Sequence, residues 1–289
     1  MSNNYLKNKS HLTKRILVTG ANGYLGRGVV ACLLNDGYQV VATDFDCSNV
    51  DNRSTKICCN IFDLDNPFIY FNKPDIVLHL AWRNGFEHNS SSHLEDFWKH
   101  YMFLKKMIDA GVGKVAVIGT MHEIGFFEGC VDENTPCNPL TLYGISKNAL
   151  RQSLQMQCSI SKTRFQWLRC YYIVSNTPYG NSIFSKLIRA SQERNSSFPF
   201  STGTNQYDFL AYDECCERIA ASVEQDSILG IIEICSGVPQ TLSSQIESFI
   251  RDNKLGIRLE YGKYASRAYD SRAIWGNSLK INQIMKDRH

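Results

Sequence analysis

The first half of the chain alternates short apolar runs with amphipathic stretches of helix length. That is the pattern of a parallel sheet whose strands are joined by helices. Arg15–Thr19 (RILVT) reads as a buried strand, followed by a glycine-rich turn and a helix over about Tyr24–Asn35 that Gly37 stops. Tyr38–Thr43 (YQVVAT), Thr55–Cys59, Asp75–Leu80 (DIVLHL) and Lys114–Gly119 (KVAVIG) predict the next strands. A helix over His93–Ala110, ended by Gly111, joins the last two. Leu142–Ser159 predicts another helix, after the turn-rich Asn134–Pro139, and Arg164–Tyr171 a sixth strand.

Beyond Tyr172 the alternation loosens, with Pro178, Gly180, Arg194–Pro199 and Gly203 marking loops. Strand–helix pairs return at Tyr207–Leu210 with Asp213–Glu224, and at Gly230–Ile234 with Leu242–Ile250. The expected fold is α/β: a doubly wound parallel sheet of Rossmann type over residues 1–172. A smaller C-terminal region over residues 173–289 is expected to cap it and bind substrate, with some segments returning to the core.

Composition narrows the reading. A chain of 289 residues with 43% hydrophobic and 20% charged residues can bury a core without staples and is not a disordered chain. Lys plus Arg number 31 and Asp plus Glu 28, with no basic stripe, which argues against a nucleic-acid partner. The basic bias of Lys7, Lys9, Lys14 and Arg15 reads as a solvated arm. No apolar run approaches the roughly 18 residues of a membrane helix. Eleven cysteines form no C-x-x-C, and the adjacent pairs Cys58–Cys59 and Cys215–Cys216 suit neither a disulfide framework nor a metal site. With no signal peptide recognisable, the expectation is a cytoplasmic protein whose thiols are reduced and mostly buried.

Candidate chemistry begins at Thr19–Gly26 (TGANGYLG), between a predicted strand and a predicted helix. Gly20 would permit the tight turn, Gly23 close approach to a pyrophosphate, and Gly26 close helix–strand packing. With Asn22, Tyr24 and Leu25 these form a candidate cradle at a helix N-terminus, where free N–H groups favour phosphate. Asp44 closes the second strand roughly 20 residues on. A carboxylate there can bind an adenosine ribose and repel a 2′-phosphate, favouring NAD over NADP; the plainer reading is a turn cap. Asp63 and Leu64 would line an adenine pocket, or Asp63 would cap the next helix. Tyr143 and Lys147 stand at i, i+4 on one predicted helix, so both side chains share a face. A neighbouring ammonium would lower the tyrosine pKa and allow proton exchange with a substrate hydroxyl.

Together with HLAW at His79–Trp82, GT at Gly119–Thr120 and YDFLAYDE near Asp208, these motifs resemble the extended short-chain dehydrogenase/reductases. The closest pattern within them is the NAD-dependent sugar epimerase/dehydratase family, over nearly the whole chain. The resemblance implies a nucleotide-sugar substrate, hydride transfer to or from the nicotinamide, and a homodimer built on the helices at His93–Ala110 and Leu142–Ser159. It makes Tyr143 the general acid/base, Lys147 its electrostatic partner and holder of the nicotinamide ribose, and Thr120 the hydroxyl that binds the reacting sugar oxygen. Leu80, Ala81 and Trp82 would flank the cofactor.

Departures from the family pattern are informative. Met121-His122 stands where 4,6-dehydratases carry an Asp-Glu pair, and Met121 where 3,5-epimerase/4-reductases carry a cysteine. That leaves chemistry at C4, with Met121 and His122 on the substrate side. His122 is either an extra acid or base, or a structural hydrogen-bonder. Tyr207 replaces an arginine that often meets the diphosphate, so Arg267 or Arg189 is the candidate replacement, unless each is a solvated surface charge. The short cap makes the pattern similar to dTDP-4-keto-6-deoxyglucose 4-reductases of bacterial surface-polysaccharide pathways. The implied activity is NADH-dependent (less favourably NADPH-dependent) reduction of the C4 keto group of a dTDP-linked sugar. A C4 epimerase with tightly held NAD is the alternative, and a non-catalytic NAD sensor the remote one.

Overall fold

The computed structural model describes residues 14–178, 182–264 and 270–288. Seven strands form one sheet: β1 (Arg15–Thr19), β2 (Gln39–Asp44), β3 (Thr55–Cys58), β4 (Ile76–His79), β5 (Lys114–Thr120), β6 (Arg164–Cys170) and β7 (Gly230–Ile234). Their order is β7-β6-β5-β4-β1-β2-β3, and every pairing is parallel. The order reverses between β1 and β4, which opens a crevice at the carboxyl ends of the strands, where α/β sheets bind ligands.

Ile16, Leu17 and Val18 have no exposed surface, because helices cover both faces of the sheet. On one side α2 (Ser92–Asp109) and α3 (Leu142–Ser161) pack Leu104, Met107, Leu150 and Leu154 against Leu17, Val77 and Trp167. On the other, α1 (Tyr24–Asn35), α5 (Tyr212–Glu224) and α7 (Leu279–Arg288) contribute Val29, Val30, Ile219, Ala220 and Ile281. The fold is the doubly wound sheet expected, with boundaries shifted by one or two residues. α3 runs on to Ser161 and ends where Lys162 turns left-handed at φ 59°.

A second, smaller sheet joins Pro239–Thr241, Gln206–Ala211, Ala273–Gly276 and Gly129–Val131, with Tyr172–Val174 beside Gln206–Ala211. α4 (Ile183–Gln192), α6 (Leu242–Asp252) and the pair Ser197–Pro199 with Arg258–Glu260 complete this region. Asp208 ties it to the main sheet. Fully buried, its carboxylate accepts the Ser236 N–H at 2.7 Å, the Ser236 hydroxyl at 2.8 Å and the Gly237 N–H at 2.9 Å, just past β7. Burial nonetheless raises its pKa, with these hydrogen bonds opposing the shift.

Candidate active site

A cleft of about 890 Å³ runs along the carboxyl ends of the strands, from Asp44 and Phe45 past Gly23 to Tyr143 and Lys147. Its floor is the glycine turn. Gly20 has φ 67°, and a Cβ on it would lie 2.6 Å from the Ala81 nitrogen. A Cβ on Gly26 would lie 2.1 Å from the Gly20 carbonyl oxygen, so any larger residue would push α1 off β1. Gly23 caps α1 through backbone alone, and Tyr24 and Leu25 join it in lining the cleft.

Asp44 is held by the turn it faces. One carboxylate oxygen accepts the Asn22 N–H at 3.0 Å and the other the Phe45 N–H at 2.8 Å. Asn22 thus acts through its backbone, while its amide donates to Asp46 at 3.2 Å. The nearest cation in sequence, Arg53, is committed to Asp51 at 2.7 Å. Asp63 and Leu64, expected at the adenine pocket, directly follow the residues that line this end of the cleft. β3 ends at Cys58, Asn60 caps a single turn, and Asn60, Ile61 and Phe62 line the cleft. Asp63 is exposed and accepts the Asn60 amide at 2.9 Å, and the Leu64 carbonyl accepts Lys106 Nζ at 2.7 Å.

Leu80, Ala81 and Trp82 line the middle of the cleft. Trp82 is stacked on His100 with ring centroids 4.4 Å apart, and its indole N–H donates to His93 Nδ1 at 3.0 Å. An indole nitrogen only donates, so His93 Nδ1 accepts and its Nε2–H donates to the Glu87 carbonyl at 3.1 Å. His79 bridges Thr19 and His100 at 2.8 and 2.9 Å. Burial lowers the pKa of both His79 and His100, the latter to about 3, so this network is neutral at pH 7.

Tyr143 opens α3, whose first turn is capped by Thr141 accepting the Gly144 N–H at 3.2 Å. Its own N–H donates to the His88 carbonyl at 2.9 Å, and its ring lies 5.7 Å from His88, 5.2 Å from His93 and 6.0 Å from His122. Thr120, at the end of β5, is the side chain that interacts with its hydroxyl. The expected lowering of the tyrosine pKa is not what this arrangement produces. Burial raises it, outweighing the lowering by Thr120. Lys147 does share the face, yet its ammonium donates to the Ile118 carbonyl at 2.9 Å and sits 4.1 Å over the Trp82 ring. Burial brings Lys147 down to about 8, with Glu123 opposing the shift.

The other sequence candidates are dispersed. Met121 packs against the apolar core. His122 lies half-buried with its ring 4.2 Å from His88, and burial pulls its pKa down to about 3, so its imidazole is neutral at pH 7. Arg189 donates to the Pro178 carbonyl at 2.5 Å, bracing the entry to α4. Arg267 lies outside the described residues. Tyr207 is buried, its ring 4.6 Å from that of Tyr172. The residues missed are His88, His93, His100 and Glu123. One signal was available: of the chain's seven histidines, His79, His88, His93 and His100 fall from the end of β4 through α2, with His122 just after Thr120.

The family model for NAD-dependent epimerase/dehydratase proteins matches residues 16–235. The chain belongs to that family. It is 39% identical over 267 residues to a dTDP-6-deoxy-L-talose 4-dehydrogenase (NAD(+)) from Aggregatibacter actinomycetemcomitans, covering 90% of this chain and 98% of the relative. Its fold is similar to that of UDP-glucose 4-epimerase from Thermotoga maritima, with TM-score 0.79 and 20% identity over 93% of this chain and 91% of the other. A dTDP-glucose 4,6-dehydratase from Streptomyces venezuelae, crystallised with NAD, superposes with TM-score 0.77 and 20% identity over 93% and 90%.

The protein is accordingly an NAD-dependent enzyme, and its cleft suits that cofactor. The glycine cradle fits a pyrophosphate, Asp44 a ribose, and Lys147 lies at the opposite end beside Tyr143. Among the described residues no cluster of His, Cys, Asp and Glu could hold a metal ion, and no helix is long and apolar enough to cross a membrane.

Proposed function

We propose that the enzyme reduces the C4 keto group of a nucleotide-linked 4-keto-6-deoxyhexose, with NADH as reductant and dTDP as the favoured carrier, in deoxysugar and surface-polysaccharide synthesis. The observation that carries the reading is the 39% identity, over nearly the full length of both chains, to a dTDP-6-deoxy-L-talose 4-dehydrogenase. Run backward, the oxidation in that name is a C4 keto reduction. Met121-His122 in place of an acidic pair argues against elimination chemistry.

NADH, when bound, supplies the hydride that goes to C4. The chain supplies the rest. The Tyr143 hydroxyl gives its proton to the C4 oxygen, which becomes the product hydroxyl, and Tyr143 recovers a proton from solvent. The burial that raises the Tyr143 pKa suits this direction, because it keeps the phenol protonated until the oxygen gains charge. Thr120, beside Tyr143, holds the same oxygen, and Lys147 supports the cofactor ribose and the developing charge.

In this reading the enzyme is a homodimer through α2 and α3, which leave Leu94, Trp98, Met156 and Ile160 exposed. Its eleven cysteines, all free, suit a reducing cytoplasm. The test is absorbance at the nicotinamide band with a dTDP-4-keto-6-deoxyhexose, NADH or NADPH, and chromatography of the sugar. Stoichiometric loss of the band with NADH preferred is expected. A changed sugar with an unchanged band would point to a C4 epimerase instead.

A further inference from the structure

Behind Thr120 lies a charged cluster that the chemistry above does not use. Glu123 has no exposed surface. One carboxylate oxygen accepts the Thr120 N–H at 2.6 Å, and both accept the Trp167 indole N–H at 2.9 Å. The second oxygen lies 3.5 Å from Arg169 Nε and 3.8 Å from Arg151 Nε, and neither nitrogen has a hydrogen-bond partner among the described residues. Arg169, itself fully buried, donates to Glu233 on β7 at 2.6 Å, and Glu233 accepts the Tyr171 hydroxyl at 2.9 Å. The chain of contacts thus runs from the Thr120 backbone across β6 to β7.

Two features show how narrowly this cluster is fitted to β5. A Cβ on Gly119 would lie 2.1 Å from the Trp167 indole nitrogen, so only glycine lets that donor reach Glu123. Thr120 and Glu123 also form a reciprocal cap. The Thr120 hydroxyl oxygen accepts the His122 N–H at 3.3 Å while Glu123 takes the Thr120 N–H. That closes the turn 121–123 and fixes the rotation of the side chain that meets Tyr143. Buried ion pairs contribute little net stability compared with apolar packing of the same volume, so fold stability alone is a weak reason for a carboxylate here.

We propose that Glu123 is a positioning residue for the reaction, acting through Thr120 to hold that hydroxyl against Tyr143, where the C4 oxygen of the sugar is received. The inference rests on the roles given to Thr120 and Tyr143 above.

The test is a double-variant cycle on the full-length enzyme, with kcat, KM for the keto sugar and NADH affinity by fluorescence titration. Glu123→Gln keeps the volume but replaces half of the carboxylate with an amide facing donors. It should lower kcat about 10- to 100-fold with NADH affinity within about twofold of wild type. In a Thr120→Ala background the same change should cost no more than about twofold, because its route of action is already removed. Trp167→Phe, which keeps a buried ring but removes the indole donor, should show a smaller fall with the same loss of effect on Thr120→Ala; it carries the test if Glu123→Gln does not fold. A folded Glu123→Gln or Trp167→Phe enzyme with wild-type kcat would overturn the inference. So would effects that multiply in the double variant, or NADH affinity lost in parallel with turnover. If Thr120→Ala alone turns over normally, the reading of the site falls; if only the Glu123 and Trp167 variants are normal, this inference falls alone.

Discussion

The two ends of the cleft are built in different ways. At the Asp44 end the working groups are backbone: Gly20 in a left-handed turn, the Asn22 N–H on Asp44, and the uncovered first turn of α1. At the Tyr143 end they are side chains drawn from β5, α2, α3 and the segment after β4, and burial rather than sequence neighbourhood sets their protonation. Binding depends on local geometry that a Cβ can destroy. Chemistry depends on packing that places hydroxyls and imidazoles around one ring. The two ends should therefore fail separately.

The largest expected effect is at the reacting end. Tyr143→Phe should lower turnover by about 10³-fold while leaving NADH affinity close to wild type, measured as kcat beside a fluorescence titration. Near-normal turnover would remove the proton donor from the account. At the binding end, Gly26→Ala puts a methyl 2.1 Å from the Gly20 carbonyl oxygen, and NADH affinity should fall about 100-fold or the melting temperature should drop. A variant that binds NADH normally would mean the cradle is not where the pyrophosphate lies. Asp44→Asn should be milder, weakening NADH about tenfold and narrowing the preference over NADPH, as read from the ratio of the two kcat/KM values.

The smallest expected effect is a pH dependence of stability. His100 and His122 have folded pKa values near 3 against an ordinary 6.5, so between these limits the unfolded chain takes up protons that the folded one refuses. Their contribution is fully present above about pH 6.5 and is lost as the pH falls toward 3. Denaturant midpoints should decline across that window, and less steeply in His122→Asn. An unchanged slope would show that His122 titrates normally.

The same contrast explains what was legible in the chain. The glycine turn, Asp44, and the Tyr143–Lys147 spacing are each written within a few consecutive residues, and the strands of the main sheet are apolar runs that announce themselves. Gly129–Val131 is not: it exists as a strand because Ala273–Gly276, far along the chain, lies beside it. The Asn60 cap after β3, which sets the turn holding Asp63, shows only in three dimensions. The Tyr143 pKa was misjudged in sign because sequence spacing reports the neighbouring lysine but not the burial of the ring or the turning of Lys147 toward Ile118 and Trp82. Glu123 carries no local signal, because its partners come from β6 and α3.

The central claim is that the cleft delivers hydride to C4 of a keto sugar. The most direct measurement uses NADH deuterated at the transferred position with a dTDP-4-keto-6-deoxyhexose, and mass spectrometry and NMR of the product. One deuterium per sugar is expected, at C4, with a matching yield of NAD. Product without deuterium, or deuterium at any other carbon, would contradict it.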